Sequence, residues 1–173
     1  MWSYLSKSRF CKRKDRILIT GTDEIGKTTI LYNIKPDGDN IIPAIGYLLN
    51  MINYANYEMI SYEIRGSTQP NALFSKQLYE SVRAIVFVVD CAAKSNLENS
   101  KKDLDHLLEQ PDLQYAKVLI IAKNTNLSSA ASLGNVITCL EMNKIKQNCH
   151  IQEFGLKGKG LRKGFHWLNL ANK

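Results

Sequence analysis

An α/β fold with a six-stranded, mostly parallel sheet and helices on both faces is what this sequence predicts, and three features predict it. Short runs rich in Ile, Leu and Val alternate with stretches whose apolar residues recur at helical spacing. Two strand-like runs, Tyr47–Tyr54 and Tyr57–Ile64, are separated only by Ala55-Asn56, the length of a tight hairpin, which adds one antiparallel strand at the edge. Gly21-Thr22-Asp23-Glu24-Ile25-Gly26-Lys27-Thr28 fits GxxxxGK[ST] between a strand and a helix.

Taken in order, Arg16-Ile-Leu-Ile-Thr20 reads as the first buried strand. The glycine-containing loop and a helix to about Lys35 follow, and Pro36-Asp37-Gly38-Asp39-Asn40 is a loop. After the hairpin, 65–71 is irregular and Leu73–Val82 reads as helical. Ala84–Asp90 is a nearly continuous apolar strand of the kind buried on both faces. Leu97, Leu104, Leu107 and Leu108 mark one face of a helix that Pro111 ends. Lys117–Ala122 is the next buried strand, Leu133–Ile145 is helix-like, Cys149–Phe154 is strand-like, and Leu161–Leu170 forms a closing helix.

With 173 residues, 45% of them hydrophobic, the chain is about one domain long and has enough apolar residues for a substantial core. The longest apolar run, Ala84–Val89, falls far short of the roughly 20 residues of a membrane span. Of the net charge of +7, five charges sit in the acid-free residues 1–14, on Lys7, Arg9, Lys12, Arg13 and Lys14. The division is therefore a basic tail over 1–15 and a nearly neutral domain over 16–173, a distribution that argues against DNA as a partner. The four cysteines form no CxxC, so zinc and redox motifs have no support. Cys91, Cys139 and Cys149 read as small apolar packing residues in a reducing compartment.

In the phosphate loop, the glycines let the backbone wrap an anion, so that N–H groups and the helix N-terminus meet its charge. Lys27 would reach the outer phosphates of a nucleotide, and Thr28 would ligate Mg²⁺. Glu24 places a negative charge inside the loop.

The stretch Ile17–Leu31 resembles the opening strand and phosphate loop of Arf and Arf-like small GTPases, down to the family's Asp at Asp23. Ile42-Pro43-Ala44-Ile45-Gly46 is similar to the family's switch I motif, Val86–Asp90 to its strand ending in VVD, and Trp167-Leu168 to the WL of its last helix. The resemblance covers roughly residues 16–172. It implies a P-loop NTPase small G-domain that binds GTP or GDP with Mg²⁺, with Gly21, Asp23, Glu24, Ile25, Gly26, Lys27, Thr28 and Thr29 around the phosphates. Gly66 would offer its N–H to the γ-phosphate. Lys123, Asn124 and Asn126 correspond to the base-reading NKxD, and Gly155 and Leu156 to the last guanine-contacting loop.

The departures bear on function. The switch I threonine is Ala44, whose side chain has no oxygen for Mg²⁺. In switch II, Glu63 replaces the Asp behind the metal and Ser67 the Gln that orients the attacking water, which leaves no catalytic residue. Arg65 reads as solvated or partner-facing. The guanine-binding Asp is Asn126, which can accept one hydrogen bond but then turns an NH₂ toward guanine's second donor. That mismatch costs on the order of 1.5–3 kcal/mol. Four of the family's five nucleotide motifs are altered and one is intact.

These residues lead to the expectation of a pseudo-GTPase, an Arf-like fold used for nucleotide binding or protein interaction inside a larger assembly. Another purine nucleotide, or none, is compatible with the altered base loop. The alternative is an active guanine-nucleotide switch with slow hydrolysis. Trp2 follows the initiator methionine, which excludes N-myristoylation. The basic tail suits docking on a protein or RNA partner, an anionic membrane surface or an import signal, in that order. The expected location is intracellular, either cytoplasmic or on an organelle, the mitochondrion among them.

Overall fold

The computed structural model describes residues 15–22, 24–34, 42–44, 49–54, 57–62, 76, 78–79, 81–92, 94–155, 158 and 160–170. They form strands β1 (Asp15–Gly21), β2 (Ile42–Ala44), β3 (Leu49–Tyr54), β4 (Tyr57–Tyr62), β5 (Val82–Asp90), β6 (Lys117–Lys123) and β7 (Cys149–Phe154). The α-helices are α1 (Glu24–Ile34), α2 (Lys94–Leu108), α3 (Leu133–Cys139) and α4 (Leu161–Leu170).

All seven strands make one sheet in the order β2-β3-β4-β1-β5-β6-β7. β4, β1, β5, β6 and β7 run parallel, while β3 is antiparallel to both β2 and β4. The sheet thus has seven strands where six are expected. The added one is Ile42–Ala44, given in the sequence only as part of the motif similar to switch I and not as a strand, and its Pro43 suits the outermost strand, where no neighbour needs its missing N–H.

Successive residues of the central strands feed opposite cores, which explains their unbroken apolarity. Leu18, Ile85, Phe87, Val89, Val118 and Ile120 pack with Leu97, Leu104 and Leu107 of α2 and Val136 of α3. Ile17, Ile19, Val86, Val88, Leu119 and Ile121 pack with Ile30 and Leu31 of α1 and with Leu161, Phe165 and Leu168 of α4. Cys91 belongs to the first cluster, and Cys139 and Cys149 pack against it; burial pushes the Cys91 and Cys149 thiols up to about 11.

Two helix predictions change. Leu133–Ile145 is not one helix: α3 stops at Cys139, and Glu141 takes a left-handed φ of 49° before a 3₁₀ turn over Met142–Lys144. The consecutive β-branched Val136, Ile137 and Thr138 weaken helix continuation. The Glu141 carboxylate pairs with Lys101 of α2 and with Lys144, which fixes the break in place. Within Leu73–Val82, Lys76, Leu78 and Tyr79 are helical, but Val82 already opens β5. The turn at Ala55-Asn56 lies outside the described residues. Among the described residues, no helix is long and apolar enough to cross a membrane.

Candidate functional site

Strand order dictates where a ligand can sit. α1, which follows β1, covers one face, and α2, which follows β5, covers the other. The chain therefore leaves the neighbours β1 and β5 toward opposite faces, and the crevice outside the carboxyl ends of such strands is where open parallel sheets bind ligands. Gly21 ends β1 at this edge, Asp90 ends β5, Lys123 ends β6, and Gly155 follows β7.

Gly21 has φ 133°, and a Cβ there would stand 2.1 Å from the Val88 carbonyl oxygen, so only glycine lets the strands close up. α1 begins at Glu24, so Gly26, Lys27, Thr28 and Thr29 already belong to its first turns; Glu24 and Ile25 open it. Lys27 is buried, at 2% exposure, and its Nζ donates to the Gly21 carbonyl at 3.0 Å. An ammonium held there stays charged only among acceptors or anions, and this chemistry fits a phosphate. Thr22 Oγ1 lies 2.9 Å from Ser100 Oγ of α2. Thr28 is half-buried on α1. Among the described residues no three His, Cys, Asp or Glu side chains converge. The Thr28 hydroxyl is an oxygen donor of the kind that a phosphate-bound Mg²⁺ takes. Asp23, Glu63, Gly66, Ser67 and Leu156 lie outside the described residues.

The loop after β6, where the base-reading residues are expected, is built around Asp90. Its Oδ1 accepts from the Ala92 N–H at 3.0 Å and from Asn124 Nδ2 at 2.8 Å. Cys91 N donates to Lys123 O at 3.0 Å, and Ala131 N to Cys91 O at 2.9 Å, so the ends of β5 and β6 are laced together. Asn124 takes a left-handed φ of 62°, which asparagine tolerates. One amide hydrogen of Asn124 is thereby committed to the scaffold. Asn126 is exposed on the loop, and Gly155 is half-buried. Ala44 ends β2, paired with Leu49.

Sequence reasoning missed Asp90 as the organiser of this loop, and Ser100. The signal for Ser100 was present: it falls between Leu97 and Leu104 on the apolar stripe of α2, at the spacing of a core residue.

The family profile described as "Arf: ADP-ribosylation factor family" matches residues 1–171. ADP-ribosylation factor K of Dictyostelium discoideum is 32% identical over 168 residues, 94% of this chain and 88% of that one. ADP-ribosylation factor 3 of Arabidopsis thaliana is 30% identical over 172 residues, 98% of this chain and 94% of its own. The Arl6 BBS3 small GTPase of Trypanosoma brucei, solved with the nucleotide analogue GppNp, superposes with a TM-score of 0.70 at 22% identity, covering 91% of this chain and 96% of that one. The profile spans nearly the whole chain, the relatives match it end to end, and the solved neighbour shares its sheet and helices: this protein belongs to the ADP-ribosylation factor family of small GTPases.

Proposed function

We propose that this family member is a pseudo-GTPase, a G-domain that holds a nucleotide by its phosphates, hydrolyses it negligibly and serves as a protein-interaction module in a larger assembly. The observation that carries this is the contrast across one site. The phosphate loop is complete, with Lys27 buried against Gly21, while the residue where the family's switch I threonine would stand is Ala44, a strand residue of β2. A methyl group coordinates no metal. Ser67, too short to hold a water as the family's Gln does, adds to the loss. Thr28 would remain as the metal's side-chain ligand, with Glu63 behind it. A guanine nucleotide, the class held by the trypanosome neighbour, is the first candidate ligand. Asn126 lowers the preference for guanine over a base with a 2-oxo group.

The basic residues 1–14 suit docking on the protein partner of that assembly. The intact phosphate loop also supports a second reading, a slow but working guanine-nucleotide switch.

The test begins with the nucleotide content of the purified protein, followed by competition among GTP, ATP and XTP and a single-turnover hydrolysis assay. Weak discrimination and negligible turnover are expected. Hydrolysis as fast as that of an ordinary family member with its activator would overturn the proposal in favour of the switch.

A further inference from the structure

The start of the phosphate loop is held from a direction that the loop motif does not supply. GxxxxGK[ST] requires glycines, backbone N–H groups and a lysine; it requires nothing of α2. Yet Ser100, fully buried on α2, has its Oγ 2.9 Å from Thr22 Oγ1 and 2.8 Å from the Asn96 carbonyl oxygen. A carbonyl only accepts, so the single Ser100 proton goes to Asn96, and Thr22 must donate into Ser100. The chain of bonds therefore has one direction, from Thr22 through Ser100 to Asn96.

Its location gives it a consequence. Thr22 directly follows β1, whose helix α1 covers one face of the sheet, whereas Ser100 belongs to the helix on the opposite face. The bond therefore ties the residue after β1 to the helix on the face opposite α1. Thr22 is exposed and could have given its proton to water; Ser100 is buried on the stripe of α2 that carries Leu97 and Leu104, where an aliphatic side chain would pack without polar cost. Three restraints then meet at two residues: Gly21 is pressed on the Val88 backbone, its carbonyl takes Lys27, and Thr22 is tied to α2. A loop fixed in this way has less freedom to lose when it closes on an anion.

We infer that Ser100 is a positioning residue for the phosphate loop, acting through Thr22 to preorganise it for phosphate. This role rests on the phosphate-binding function proposed above.

Thr22→Val, Thr22→Ser, Ser100→Ala and the double variant Thr22→Val/Ser100→Ala test it, with two readouts. The first is affinity for GDP with Mg²⁺ and for inorganic tripolyphosphate. Thr22→Val and Ser100→Ala should each weaken both ligands by about five- to tenfold, the net worth of one hydrogen bond, and the double variant should lose no more than either alone. Thr22→Ser, which keeps the hydroxyl, should bind like the wild type. The second readout is hydrogen exchange at the amides of Gly26, Lys27 and Thr28 in ligand-free protein, which should quicken by the same factor in the two single variants. Unchanged affinity and exchange in Thr22→Val overturns the inference, as does a double variant whose losses multiply. If the wild type binds neither GDP nor tripolyphosphate, the phosphate function fails, and the exchange readout alone decides whether Ser100 positions the loop. Should Ser100→Ala fail to fold, Thr22→Val, altered on the exposed side, carries both readouts.

Discussion

Ser61 on β4 is buried, at 1% exposure, and among the described residues its hydroxyl has no hydrogen-bond partner. It sits two residues after Met59, on the face that α1 covers, in register with Ile19 of β1. A buried hydroxyl left unpaired carries a desolvation cost of about 1–3 kcal/mol. Ser61→Ala should therefore stabilise the protein by about 1 kcal/mol and raise the melting temperature by about 2–4 °C, the conversion for a domain of this size. Thermal unfolding followed by circular dichroism checks this, and a fall in melting temperature would mean that the hydroxyl is satisfied. The same scale shows what a single sequence discloses. Gly21 and Lys27 were legible because the phosphate-loop spacing constrains residue type directly. Asp90 was legible only as the end of an apolar strand, because its work is to accept bonds from Ala92 and Asn124, the latter 34 residues away. Ser61 left no mark in the sequence, since a serine in an alternating strand reads as a solvent-facing residue.

Elements were legible in proportion to how far local residues decide them. β5 and β6 stood out because each must fill a core on both faces, and no other element tolerates such runs. β2 was not read as a strand because three residues including a proline carry no period; only pairing with β3 makes it one. The short α3 was overextended because apolar residues continue past its end, while the break depends on Glu141 meeting Lys101 of another helix. With only seven residues, α3 leans on its cap. Ser132 takes extended angles, and its side chain accepts from the Asn135 N–H at 3.2 Å, while Val136 alone of its residues is fully buried. Ser132→Ala should cost about 1 kcal/mol, and Ser132→Asp should retain most of that stability because its carboxylate also caps. Urea unfolding of the three proteins decides the matter; equal midpoints for Ser132→Ala and the wild type would show that the tertiary contacts of α3 suffice without the cap.

At the scale of the whole molecule, the question is whether a nucleotide, once bound, would move anything. A ligand shifts two states only by its differential affinity for them. In the family's switch, as the resemblance implies, the γ-phosphate draws in a threonine of switch I and a glycine N–H of switch II. Here the first contact has no counterpart at Ala44, and a single backbone N–H is worth about 1–3 kcal/mol. Driving an equilibrium from 1:99 to 99:1 takes about 5.5 kcal/mol. Ala44 is moreover part of β2, whose partner β3 is hydrogen-bonded to β4 and through it to β1, so displacing this segment disturbs a ladder that is continuous with the central sheet. The GDP- and GTP-bound forms should accordingly differ little. Hydrogen exchange at Ile42 and Ala44, and along Leu49–Tyr54, should agree within about twofold between GDP and a non-hydrolysable GTP analogue, far below the roughly 10⁴-fold preference that a full switch demands. Protection of β2 and β3 that changes strongly with the nucleotide would show that the γ-phosphate still reaches the hairpin, and would return the protein to the class of working switches.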